Sequence, residues 1–149
     1  MKKALAVILV AVVLVAVVAL FLVRSAEDKL TEDVVSRANR LAIPSGWTQL
    51  VDIVRREQLL CISTNPCPSI NRRWETGTEL TLTDLQAIAS PAGITLKVEG
   101  TCQRQANVGG DTSLCSGVGN DGTYVYTLTA VSPGVGEKDQ FTLDIRPLH

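Results

Sequence analysis

Four cysteines, an Arg72-Arg73-Trp74 cluster and a scatter of carboxylates are the residues of this 149-residue chain whose types could do chemistry. Cys61 and Cys67 are separated by five residues, and Cys102 and Cys115 by twelve. A redox-active pair would be expected as Cys-x-x-Cys, which the chain lacks. Structural zinc calls for two-to-four-residue spacings and often histidine, whereas the single histidine is His149. These cysteines therefore read as two disulfides, for which three connectivities exist. Local pairing, Cys61–Cys67 with Cys102–Cys115, is the expected one. By the loop-entropy model a closed loop of about 15 residues contributes ~3 kcal/mol.

Other chemistry is thinly represented. A Ser-His-Asp or Cys-His arrangement needs an interior histidine. There is no Gly-x-Ser-x-Gly elbow, phosphate-cradling loop or His-Glu-x-x-His motif. Gly109-Gly110-Asp111 and the run Gly117 to Gly122 read as turns, because Gly and Asn are what turns require and a calcium loop wants more carboxylates. Asp52, Glu57, Glu75, Glu79, Asp84 and Glu99 could in principle supply an acid and a base, as in glycosidases, but no spacing pairs them. The sequence thus leads to no catalytic, cofactor-binding or metal-binding residue. Pro66-Cys67-Pro68 with Arg72, Arg73 and Trp74 is the most distinctive patch. Together with Trp47 it is the candidate partner-binding set, since Trp beside Arg recognises partners by stacking; burial of Trp74 in a core is the competing reading.

Charge narrows the classes further. The formal net charge is −1. Lys2, Lys3 and Arg24 flank an apolar run, and residues 25–149 hold eleven basic and fifteen acidic groups, about −4. That balance does not suit a phosphate backbone, so no nucleic-acid partner is expected.

The elements that must position these groups begin with the run Ala4–Val23, twenty consecutive apolar residues. As a helix it spans ~30 Å, the thickness of the hydrocarbon core, with its backbone groups satisfied internally. A cleaved signal peptide would have a shorter apolar stretch ending in small residues, and Arg24-Ser25-Ala26 does not provide that. Residues 4–23 are therefore expected to partner the lipid bilayer. Lys2, Lys3 and the terminal amine outweigh Arg24, which places the N-terminus in the cytoplasm; disulfides place the remainder outside. No ionisable group interrupts the run, which argues against transport.

Three parts follow: an anchor over 1–24, a helical stalk or linker over 25–44, and a folded domain over 45–149. In the stalk, Leu30, Val34, Ala38 and Leu41 form one helical face and Asp33–Arg37 an i,i+4 pair. That stripe packs on its own domain, spaces it from the lipid, or meets another membrane protein. Ile43-Pro44-Ser45-Gly46 ends the helix. In the domain, Ile94–Val98, Tyr124–Ala130 and Phe141–Ile145 alternate with period two and predict strands of an antiparallel sheet. Thr81 with Asp84 predicts a helix start and Pro91-Ala92-Gly93 its end. Leu59–Ile62 leans to strand; Gln105–Gly122 and Ser132–Lys138 read as loops.

The fold class is accordingly α+β: an N-terminal transmembrane helix plus a small antiparallel-sheet domain with one packed helix and two disulfides. The functional expectation is a non-enzymatic interaction or accessory module of the cell envelope, partnered by another envelope protein. A small-ligand or carbohydrate-binding module is the alternative, followed by a carboxylate-based hydrolase.

Overall fold

The computed structural model describes residues 2–58, 61, 66–103, 112–134 and 136–148, with side chains from Ile8 onward. Helix α1 runs unbroken over Lys2–Ala38. Thirty-seven residues give a rod of about 55 Å, well beyond a hydrocarbon core of ~30 Å. Its apolar side chains from Ile8 to Leu22 are exposed to the surroundings. Among the described residues it is the one helix long and apolar enough to cross a membrane. With disulfides in the remainder, the chain fits a single-pass membrane protein.

The far end of α1 does not stand free. Val34 and Ala38, with Leu41 just beyond, are buried in the domain's core, and Val35 and Ile43 pack beside them. Only Leu30 of the apolar stripe stays exposed. The stripe thus packs on its own domain, one of the readings its sequence allowed. Trp47 also packs on this core, half-buried.

Six antiparallel strands form one sheet in the order β1-β2-β6-β5-β4-β3. They are β1 (Thr48–Arg55), β2 (Ser69–Glu75), β3 (Lys97–Gly100), β4 (Thr112–Asn120), β5 (Tyr124–Ser132) and β6 (Gln140–Pro147). The register aligns Tyr126, Leu128 and Ala130 with Ile145, Leu143 and Phe141, and these with Ile70, Arg72 and Trp74. That inner face carries the core; α1 and α2 (Leu82–Ala89) pack against it. The capping box of α2 forms as the sequence predicts, with Thr81 and Asp84 exchanging bonds. A 3-10 turn, Ser90–Ala92, and Gly93 at positive φ end it.

The expected alternation holds at Tyr124–Ala130 and, apart from Thr142, which is buried on the outer side, at Phe141–Ile145. In 94–98 the buried side is Ile94, Leu96 and Val98 as predicted, although the ladder begins only at Lys97.

Two expectations require correction. Residues 112–120 are strand β4, not loop. Gly117 and Gly119 are strand residues, and the turn is confined to Asp121–Thr123. Glycine is needed there by close approach: a Cβ on Gly119 would lie 2.6 Å from Ile94 and 2.7 Å from the Thr95 carbonyl. Residues 105–111, Gly109-Gly110-Asp111 among them, lie outside the described residues, as do 59, 60 and 62 of the expected Leu59–Ile62 strand. Cys61 itself is not in a strand. The Arg72-Arg73-Trp74 segment, read only as a patch, is part of strand β2.

The burial of Val34, Ala38 and Leu41 sets an expectation. A fragment of 45–149 loses on the order of 5 kcal/mol of apolar burial, comparable to the whole stability of a small domain. Residues 25–149 should melt cooperatively by circular dichroism, whereas 45–149 should melt far lower or show no cooperative transition.

Candidate interaction surface

Three features decide what the molecule can present: how helix and sheet are joined, which face is covered, and which edge is open. The join centres on Asp121 in the β4–β5 turn. Its Oδ1 accepts from the Thr123 and Tyr124 amides at 3.0 and 2.9 Å. Its Oδ2 accepts from the Tyr126 hydroxyl at 2.7 Å and from Arg37 Nη1 of α1. Arg37 Nε donates to Asp33 at 2.9 Å, and the guanidinium lies 5.2 Å from the centre of the Tyr124 ring. Desolvation by burial opposes ionisation of Asp121, but the Tyr124 amide, the Tyr126 hydroxyl, the Thr123 amide and Arg37 together outweigh it. They hold its carboxyl well below the usual carboxylate range. Burial, and then the bond to Asp121, push the Tyr126 phenol up, so it stays a donor.

Further ties run along the helix. Thr31 Oγ1 accepts from the Glu57 amide at 3.0 Å, and Asn39 Oδ1 accepts from Arg72 Nη1 at 2.7 Å. Arg72 Nε also donates to Asp52 at 2.9 Å. The Ala42 amide donates to the Ile88 carbonyl of α2 at 3.0 Å. Helix and sheet are therefore fixed at several levels. Thr31 lies eight residues past Val23, so the first of these ties stands about 12 Å beyond the end of the apolar run.

The opposite face of the sheet has no layer over it among the described elements. The register brings Val51, Arg73, Thr142, Thr129 and Ser116 into one row. Ile53, Asn71, Asp144, Thr127 and Val118 form the next. Asn71 Nδ2 donates to Asp144 at 2.7 Å. Towards the Glu57 end a groove of about 540 Å³ opens over this face, lined by Ile53, Arg55, Pro66, Asn71, Asp144 and Arg146 among others.

The candidate residues do not converge. Arg72 and Trp74 share the inner face, where Trp74 is only 6% exposed. It packs on Phe141, as does Trp47, with ring centres 5.6 and 5.3 Å apart. Arg73 alone of the four points to the outer face, where it is exposed. Tyr124 is buried too, so the aromatic platform that a sugar would stack on is not offered by these residues. Of the carboxylates, Asp52 is taken by Arg72, Glu75 by Lys138, Glu99 by Lys97 and Asp84 by the α2 cap. The cysteines pair locally, Cys61–Cys67 with Cα atoms 6.0 Å apart and Cys102–Cys115 at 4.6 Å. Among the described residues no cluster of His, Cys, Asp or Glu is gathered for a metal.

No family model, curated protein or solved structure matches this chain. The site must be read from its own geometry. Sequence reasoning found the Asp33–Arg37 pair but not its partner Asp121, which is 84 residues from Arg37. The one local signal was an Asp opening a turn next to Gly122.

Asp121→Ala should cost about 2–4 kcal/mol by thermal unfolding of the full chain in micelles, since Arg37 and Tyr126 lose their acceptor. Its folded pKa is depressed, so its contribution is complete above the ordinary aspartate value of ~4. That contribution drains away as pH falls below this value. The gap between wild type and Asp121→Ala should therefore shrink in melts at pH 3 relative to pH 7.

Proposed function

We propose that the chain is a single-pass, non-enzymatic interaction or accessory module of the cell envelope, with its N-terminus in the cytoplasm and its folded domain outside. The observation that carries this reading is the clasp between α1 and the sheet. It holds an uncovered sheet face and an open sheet edge in one orientation close above the bilayer. A tether meant only to retain an independent domain has no need of such fixed geometry. The partner fitted by this placement is another envelope protein. The outward orientation is supported by the two disulfides, which persist in oxidising compartments, and by Lys2 and Lys3.

A photo-crosslinking residue at Arg73 in intact cells should yield a discrete protein adduct. Monomer alone would overturn the reading. In cells treated with a thiol-blocking reagent before lysis, mass mapping should find all four cysteines oxidised. Free, blocked thiols would place the domain on the reducing side.

A second reading is favoured by the groove over Asn71 and Asp144. Its volume falls within the ~300–1,000 Å³ of small-molecule sites, and its polar floor could orient a ligand.

A further inference from the structure

The sheet has two ends, and they differ. Strand β3 at one end has four residues. Strand β1 at the other has eight, Thr48–Arg55, and among the described residues pairs only with β2. Its outer ladder of amides and carbonyls therefore has no strand partner among the described residues. Natural proteins blunt such edges with proline, lysine, charge or bulges, because an open edge templates pairing with another chain. Strand β1 has no proline and no lysine. Its one acid, Asp52, is drawn off by Arg72, and its one bulge lies early, between Gln49 and Val51. Leu50 and Ile53 are each 46% exposed and Val54 37%. An edge left this open fits use by a partner.

We propose that β1 is a strand-addition site, and that its occupant is an extended acidic segment of a partner protein. The proposal rests on the reading of the chain as an interaction module. The sign of the occupant follows from the charges. Arg55 and Arg56 at the end of β1 and Arg73 on the neighbouring strand have no acidic partner among the described residues. Of the acids nearby, Asp52 is paired with Arg72, which leaves Glu57 and Asp144, the latter bonded to the neutral amide of Asn71, against Arg55, Arg56, Arg73 and the exposed Arg146. Thus a domain that is acidic overall presents a cationic margin at its open edge. An added strand would form main-chain bonds along Thr48–Arg55. On its outer-face side, alternate side chains would lie beside Val51, Ile53 and Arg55, the last two of which also line the groove.

A second copy of this chain does not fit. Asp52 is tied through Arg72 to Asn39, and Glu57 to Thr31, so β1 runs back along α1 towards the bilayer. Antiparallel pairing of two β1 edges needs a two-fold axis perpendicular to the strands. That axis would point the two anchors in opposite directions, which chains of one topology in one bilayer cannot do. Self-pairing would also bring the arginines of two copies to one seam.

The test uses the full chain in micelles with two blocked eight-residue peptides, one alternating valine with glutamate and one valine with lysine. The glutamate peptide should bind saturably and slow amide exchange over Thr48–Arg55. The lysine peptide should bind at least about tenfold more weakly. The double variant Arg55→Glu/Arg73→Glu changes two exposed side chains and should melt like wild type, yet reverse the preference. Absence of protection over β1, equal affinity for both peptides, or a preference unmoved by the charge reversal would each overturn the proposal. A discrete adduct from the cellular crosslink combined with no peptide protection at β1 rejects the edge and leaves the module standing. No adduct at all rejects the module itself.

Discussion

Asp121 holds two structures with one carboxylate. One oxygen accepts two amides and shapes the turn between β4 and β5; the other receives Tyr126 from the sheet and Arg37 from the membrane helix. Loss of the charge would leave Arg37 with Asp33, on its own helix, as its acidic partner among the described residues. Burial makes the ion costly to hold, and it is retained because four donors converge on it. The geometry above the bilayer depends on this arrangement. Apolar burial of Val34, Ala38 and Leu41 supplies the larger part of the attachment energy, but burial alone is tolerant of sliding and rotation. The ion pair, with the Thr31 and Asn39 bonds, selects one docking position.

With helix and sheet fixed, the two faces of the sheet take different roles. The inner face is closed by α1 and α2 over an aromatic centre of Trp47, Trp74 and Phe141. The outer face remains open, with Thr, Ser, Asn, Asp and Arg along its rows. The cysteines serve the loops at either side: Cys61–Cys67 lies in the β1–β2 connection, and Cys102–Cys115 ties the end of β3 to β4.

Much of this was legible in the sequence because the responsible forces are local. Twenty apolar residues in a row specify the anchor, and a Thr81–Asp84 box specifies the start of α2. Strict alternation specifies β5 and β6, which are central and buried on one side. The strands that were missed are those whose inward positions are not apolar. Strand β4 has Gly117 and Gly119 on its buried side, because Leu96 and Ile94 fill the space a side chain would occupy. Strand β2 places Arg72 between Ile70 and Trp74, a break in the alternation that only Asn39 and Asp52 make tolerable. Strand β1, exposed along most of its length, had no buried side to impose a period. The Arg37–Asp121 contact joins parts of the chain 84 residues apart, and the turn signal at Asp121-Gly122 does not name its partner.

The continuity of α1 from lipid to core has a rotational consequence. An α-helix turns by 100° and rises 1.5 Å for each residue. The number of residues between Val23 and Thr31 therefore sets the compass bearing of the domain in the membrane plane. One residue more would swing the whole sheet through more than a quarter turn, with scarcely any change in height. The direction from which a neighbour in the same bilayer could approach would thus be set by the length of the segment between Val23 and Thr31.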